Sequence, residues 1–469
     1  MADKKELSEG KKLEESLFYK KENFFEVSSE EKIKAAYDYA EGYKKFLDEA
    51  KTEREAVRAA TAYAESKGYS EYKFGDKLSA GDKKYYSNRG KSFIMFKVGS
   101  ENMAVNGIKI LASHIDSPRL DIKQVPLYED TGMAFLKTHY YGGIKKYQWT
   151  AMPLALHGTV VLESGEAVTV TVGEKDSDPV FYINDLLPHL SKEQITKPLA
   201  TAIDGETLNV LVGGYPFKDD DVKEKVKLTV LKKLNETYGM KETDFISAEL
   251  CVVPAYKARD IGFDRALIGG YGHDDRVCSY PAMTALGESK DELSTVVVVL
   301  ADKEEIGSEG ATGMQCGIFS DLVDMLAASQ GVPASVVRAN SKCLSADVTA
   351  GFDPNFAGAF EKRNSSIVSC GTALCKFTGA GGKSGSSDAS AELVGYVRRI
   401  FEKAKVNWQM AELGKVDAGG GGTVAKYIAK LNIDTIDIGV PVISMHAPYE
   451  VISKADLYST YEAFAAFIG

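Results

Sequence analysis

The stretch Thr295-Val-Val-Val-Val-Leu-Ala-Asp-Lys-Glu304-Glu305-Ile-Gly307 decides how this chain is read. Its unbroken run of β-branched and aliphatic side chains predicts a strand buried on both faces, as in a sheet covered by helices. The run then stops at two adjacent carboxylates, Glu304 and Glu305, followed by Ile306 and Gly307. Neighbouring residues at a strand exit can point in different directions. One carboxylate can therefore hold a cation while the other faces whatever that cation activates. Taken alone, the pair reads more simply as a solvated acidic turn, so the rest of the chain has to decide.

Composition narrows the field. A chain of 469 residues exceeds one ordinary core and predicts more than one domain. Hydrophobic residues make up 44% and charged residues 26%, the balance of a soluble globular protein. A net charge of −10 argues against nucleic acid as a partner. No apolar run approaches the roughly 18 residues a membrane helix needs, so no membrane association is expected. The N-terminus, Met1-Ala-Asp-Lys-Lys-Glu, has no apolar core and does not read as a secretory signal, which predicts a cytoplasmic location. The six cysteines are scattered without a CxxC pair and read as reduced thiols. With only six histidines, a metal site would have to lean on carboxylates.

Outward from the opening stretch, other strand-like runs also end in metal-type side chains. Residues 1–28 read as a loosely held polar arm. One helix is predicted from Ser28-Ser29 to about Lys67, and strands over Ser92–Val98 and Ile108–Ala112. The second strand enters Ser113-His114-Ile115-Asp116-Ser117-Pro118, where the aspartate can fix the histidine ring for metal binding. From about Gln124 to Pro254 short strand-like segments dominate, carrying an acidic, Lys-rich excursion at 218–244. The segment also contains Tyr141-Gly142-Gly143 and Pro188-His189-Leu190. It predicts an inserted β-rich domain over 124–256, between catalytic parts at 1–123 and 257–469. Gly269-Gly-Tyr-Gly-His273-Asp274-Asp275 then leads into an apolar helix, where the aspartates equally read as helix caps. Ser341–Ala346 ends in Asp347, residues 388–406 look helical, and Ile433–Met445 delivers His446 before a terminal helix from about Lys454.

Two glycine runs need weighing. Gly379-Ala-Gly-Gly-Lys383-Ser384 would be a phosphate loop only with glycine at 377, which is Phe377, so a nucleotide site is rejected. Gly419-Gly-Gly-Gly422-Thr423 precedes a helix-like stretch and either presents N–H groups to a substrate or forms a plain turn. In an open α/β sheet the carboxyl ends of the strands form the ligand crevice. His114, Asp116, Asp274, Glu304, Glu305, Asp347 and His446 all sit at strand ends or a helix start, and their convergence on one edge would suit two zinc ions.

Over roughly residues 30–469 the chain resembles the metallopeptidase family typified by aspartyl aminopeptidase, within the clan of cocatalytic dizinc aminopeptidases. Ser-His114-Ile-Asp116-Ser-Pro, Asp274-Asp275, Asp302-Lys-Glu304-Glu305-Ile-Gly-Ser, Ser-Ala-Asp347 and Met-His446 carry the resemblance, in order and separation. It implies an α/β fold with a mixed sheet flanked by helices and an inserted β-rich dimerisation domain. It implies two zinc ions per subunit, replaceable by manganese or cobalt, with His114, Glu305, Asp347 and His446 as ligands and Asp274 as the bridge. Asp116 would orient His114, and Glu304 would be the general base. The resemblance also points to a cis peptide between Asp274 and Asp275. His189 would reach a neighbouring subunit's active site or serve as a further ligand. Lys383 would touch an acidic substrate side chain, with Gly421 and Gly422 lining the substrate's path. The activity implied is release of N-terminal residues from peptides by a homo-oligomer, a tetrahedral shell of twelve subunits. The glycine richness of 419–422 departs from the acid-specific members and leaves an acidic preference open. A deacylase on the same scaffold, or an assembly protein keeping metals for structure, are the rival readings.

Overall fold

Four parallel strands, Val296–Ala301, Lys109–His114, Lys342–Ala346 and Asp434–Gly439, form the middle of a nine-stranded mixed sheet. The computed structural model describes residues 7–469. Ser92–Lys97 adds antiparallel on one side and Thr372–Cys375 antiparallel on the other. The opening stretch is buried on both faces as its composition predicts. Val296, Val298 and Leu300 enter one core, and Val297, Val299 and Ala301 enter the other. The first core packs under helices Glu30–Glu49, Glu53–Ser66, His273–Glu288, Ala391–Ala404 and Lys454–Ile468. The second packs under Ile318–Ser329, Ala334–Asn340 and Ala425–Ala429. Because the four central strands run the same way, their carboxyl ends share one edge.

A second, wholly antiparallel sheet of seven strands is built from residues between Arg119 and Ile183, Val210–Gly213 and Ala248–Pro254, with a core of its own around Trp149, Leu154, Val210 and Val252. Its first strand, Arg119–Asp130, begins before Gln124 and leaves the His114 strand after only four residues. A three-stranded sheet pairs Leu267–Gly270 with Glu450–Ser453 and sets Gly270 opposite Glu450. Among the described residues, no helix is long and apolar enough to cross a membrane.

Several local expectations change. The helix expected over 29–67 is two, because Thr52 starts a new one: its hydroxyl accepts from the Glu55 N–H while the Glu55 carboxylate accepts from the Thr52 N–H. The N-terminal arm holds helices Glu9–Leu17 and Phe24–Val27, and Phe24 is fully buried with its N–H on the Ser369 carbonyl. Residues 1–6 of that expectation lie outside the described residues. The charged excursion at 218–244 contains helix Lys225–Tyr238, which buries Val226 on the second sheet. The run expected to carry straight into His446 stops at Gly439, where a Cβ would come within 1.7 Å of the Asp347 carbonyl.

Candidate metal centre

The shared edge gathers the side chains that the sequence singles out. Ala301 pairs with His114 across the two central strands, so the chain leaving one passes the end of the other. Lys303, with φ 66°, turns that chain into Glu304–Ile306. Asp347 follows Ala346 directly, and its N–H donates to the Ile438 carbonyl at 3.0 Å. The Asp274–Asp275 peptide is cis, and neither residue has helical angles although both open the helix His273–Glu288. They are therefore not simple helix caps.

Asp274 lies between the two histidines. Its Oδ1 is 3.1 Å from His114 Nε2, and its Oδ2 is 3.2 Å from His446 Nε2. On one side Asp347 Oδ1 stands 3.7 Å from His114 Nε2, and on the other Glu305 Oε2 stands 3.6 Å from His446 Nε2. The remaining ring nitrogens are engaged. His114 Nδ1 is 3.0 Å from the Asp116 carbonyl and His446 Nδ1 is 2.7 Å from the Gly143 carbonyl. A carbonyl only accepts, so each Nδ1 carries a proton and each ring turns its Nε2 toward Asp274, the nitrogen that would serve a metal once the ring is neutral.

Asp116 does more than orient His114. Its Oδ1 accepts from the Glu304 N–H at 3.1 Å and its Oδ2 from the Glu305 N–H at 3.2 Å. One buried carboxylate thus ties the histidine strand to the turn bearing both glutamates.

The charge is unbalanced. Burial, then the nearby Asp347 charge, pushes the Glu304 carboxyl up to about 8. Burial also raises Glu305 well above the usual range, with Asp274 adding to it. Asp347 is raised by burial against the opposing pull of His114. Burial raises Asp274 and Asp116 too, but bonds to His114, and for Asp274 also to His446, outweigh it and bring both below their ordinary value. His446 rises to about 10, its burial outweighed by the Asp274 bond and the Glu305 charge. Two buried oxygens, Glu305 Oε1 and Asp275 Oδ1, have no partner among the described residues. Crowded carboxylates with unpartnered buried oxygens cost free energy unless a cation compensates them. The donor types and spacings fit divalent metal: His114, Asp274 and Glu305 form one group within 4.8 Å, and His114, Asp275 and Asp347 another.

A cavity of about 510 Å³ opens over this edge, lined among others by Glu304, Glu305, Asp347, Gly421, Gly422 and Lys426.

The comparisons with known proteins bear directly on this geometry. The model of the Aminopeptidase I zinc metalloprotease family (M18) matches residues 46–468. The chain belongs to the M18 aminopeptidases. A probable M18 family aminopeptidase 1 from Clostridium acetobutylicum is 48% identical over 454 residues, covering 95% of this chain and 97% of the relative. The crystal structure of an M18 aminopeptidase from Thermotoga maritima superposes with a TM-score of 0.91 at 40% identity, covering 96% of this chain and 99% of that one. That of aminopeptidase I from C. acetobutylicum gives 0.90 at 45% identity, covering 97% and 100%. A more distant fold relative, the mApe1 dodecamer of S. cerevisiae, gives 0.75 at 21% identity, covering 92% and 96%. This M18 chain is thus an aminopeptidase of a zinc metalloprotease family, and the rival readings fall away.

Two sequence candidates sit elsewhere. His189 is exposed in the second sheet's long 184–209 connection and does not line the cavity. Lys383 is held 3.3 Å from Asp388 with its ammonium 4.0 Å from the Phe377 ring centre, and it lines a neighbouring cavity of about 400 Å³. Glu450 and Lys426 are not among the residues the sequence singles out, and Asp275 appears there only as the neighbour of Asp274. Asp275 faces His114 and Asp347. Glu450, fully buried, accepts from the His446 N–H at 2.7 Å and from the Asp274 N–H at 3.1 Å. Lys426 is the ammonium lining the main cavity. Only the Asp-Asp doublet and the closeness of Glu450 to His446 in sequence could have signalled any of them.

Proposed function

We propose that the M18 chain holds two zinc ions per subunit, with manganese or cobalt able to substitute, and uses Glu304 to move the proton in peptide hydrolysis. The observation that carries this is Asp274, whose two oxygens face His114 and His446 from opposite directions. His114 and Asp347 would hold one ion, His446 and Glu305 the other, with Asp274 between them. When bound, the ions supply Lewis acidity to the scissile carbonyl and lower the pKa of water.

The remaining steps belong to the chain. The cavity receives the N-terminal residue, with Gly421 and Gly422 along its wall. Glu304 takes a proton from the attacking water as the C–O bond forms. It returns that proton to the departing nitrogen as the C–N bond breaks. A carboxyl raised by burial is suited to both transfers, since nearby cationic charge brings it back toward the working pH. Asp116 acts through others, holding the Glu304 and Glu305 backbones and the His114 ring. Lys426, which lines the cavity, supports pairing with an acidic first residue, the contact expected of Lys383.

The chain works as a homo-oligomer in this reading, with a twelve-subunit shell the candidate assembly and the cytoplasm its location. Leu186, Leu187, Leu190, Ile195 and Leu199 expose apolar side chains around His189, which suits burial against a second copy that His189 would reach into. A native mass equal to one chain would remove the assembly. The central test is Glu304→Gln, which should keep zinc by elemental analysis and lose peptide turnover. Near-normal turnover would take Glu304 out of the proton transfer.

A further inference from the structure

Tyr141-Gly142-Gly143 belongs to the second sheet, at the end of strand Met133–Tyr141, yet each of its residues touches the metal centre. The Tyr141 hydroxyl donates to Asp116 Oδ2 at 2.8 Å, the same oxygen that accepts from the Glu305 N–H. Gly142, at φ 74°, lies against Glu305: a Cβ there would come within 3.2 Å of Glu305 Oε2 and 3.4 Å of Pro118 Cβ. The Gly143 carbonyl accepts from His446 Nδ1 at 2.7 Å. Behind the Tyr141 ring the Arg119 guanidinium stacks at 4.1 Å from the ring centre, itself bonded to Glu53 at 2.9 Å and to Asp121 at 2.7 Å.

A buried tyrosine hydroxyl needs some acceptor, and one such bond would be ordinary packing. Here three consecutive residues meet three different site residues, Asp116, Glu305 and His446. Asp116 and Glu305 follow two strands of the central sheet, and His446 comes from the loop between Pro441–Val442 and Glu450–Ser453. The backbone angle at 142 favours glycine, and a Cβ there would make Glu305 or Pro118 give by a few tenths of an ångström.

We propose that Tyr141–Gly143 is a strap through which the second sheet sets the geometry of the metal donors, with Tyr141 as a positioning residue acting through Asp116. The inference rests on the reading that His114, Asp274, Glu305 and His446 hold metal. Groups that orient metal ligands typically change affinity by about 10–100-fold when removed. Removing the Tyr141 hydroxyl leaves Asp116 Oδ2 with the Glu305 N–H alone and loosens the carboxylate on which His114 and the glutamate turn depend.

The test is Tyr141→Phe in the full chain, which keeps the ring on Arg119. Metal-stripped parent and variant are titrated with zinc against a chromophoric chelator. Assembly mass and the unfolding midpoint of the metal-free proteins are followed in parallel. We expect zinc affinity to weaken by about 10–100-fold, with mass and midpoint unchanged, and kcat at saturating zinc to fall while KM holds. Parent-like zinc affinity in the variant overturns the strap, whatever happens to kcat. Should Tyr141→Phe fail to fold, Gly142→Ala takes its place, with weakened zinc binding supporting the strap and parent-like binding overturning it. A parent chain that binds no zinc would overturn the metal reading itself, and the strap with it.

Discussion

Glu304 and Glu305 share a turn and part company through their surroundings. Glu305 Oε2 points at His446, while Glu304 is held through its backbone N–H and carbonyl and leaves its carboxyl on the cavity wall. In Glu304→Gln the amide keeps the shape but cannot shuttle a proton. Because positioned acid–base groups contribute about 10²–10⁴-fold, kcat should fall by that order with KM little changed, read from steady-state rates at saturating zinc. At this scale most of the site was legible, since His114, Asp116, Asp274, Asp347 and His446 each stand at the end of an apolar run or the start of a helix. Glu450 was not, because its signal lies in strand pairing. Opposite Gly270 it reaches both Asp274 and His446, and nothing in its neighbours announces that.

Elements set where those residues point. The four parallel strands need side chains apolar on both faces, and that pattern is plain in 296–301 and 110–112. The break between helices Glu30–Glu49 and Glu53–Ser66 was hidden by continuous helical periodicity across it. Thr52 and Glu55 form the reciprocal cap, and Lys51 is buried with its ammonium on the Pro254 and Tyr256 carbonyls. Thr52→Ala removes the cap hydroxyl and should cost about 1 kcal/mol, measured as a lower denaturant midpoint at unchanged slope. A midpoint equal to the parent's would show that burial of Lys51, and not the cap, holds the break open.

Across the whole molecule the second sheet meets the helices that cover the first at a buried ionic junction. His157 of the second sheet lies 2.8 Å from Glu55 and 3.0 Å from Glu174, and Lys51 bonds Glu174 at 2.6 Å. Burial lowers the His157 pKa, but the bonds to Glu174 and Glu55 outweigh it and raise it above 6.5. Its contribution to stability is therefore complete below pH 6.5 and is lost as pH rises through the raised folded value. Glu174 runs the other way: burial raises it, but His157 and Lys51 bring it down to about 2, so its contribution holds above 4.5 and is lost as pH falls toward 2. The junction should be strongest between about pH 4.5 and 6.5. In denaturant melts, the stability gap between the parent and His157→Gln should narrow as pH rises beyond that window. A gap that stays constant up to pH 9 would mean His157 is neutral at the junction throughout.

The sequence by itself determined the α/β class, the buried central strands and nearly all the metal-type side chains, because burial on two faces and polar residues at strand ends are local patterns. It also carried the M18 resemblance, through motifs whose order survives along the chain. Tertiary structure alone decided which oxygens face which histidines and that Glu450 braces Asp274 and His446 at once. It likewise decided that Lys426, and not Lys383, lines the cavity, and that Tyr141–Gly143 reaches back from the second sheet. Those depend on strand register and on contacts between residues hundreds of positions apart, which no local pattern encodes. The adjacent carboxylates 304 and 305 were visible as a pair, and the fold gave each a different neighbour.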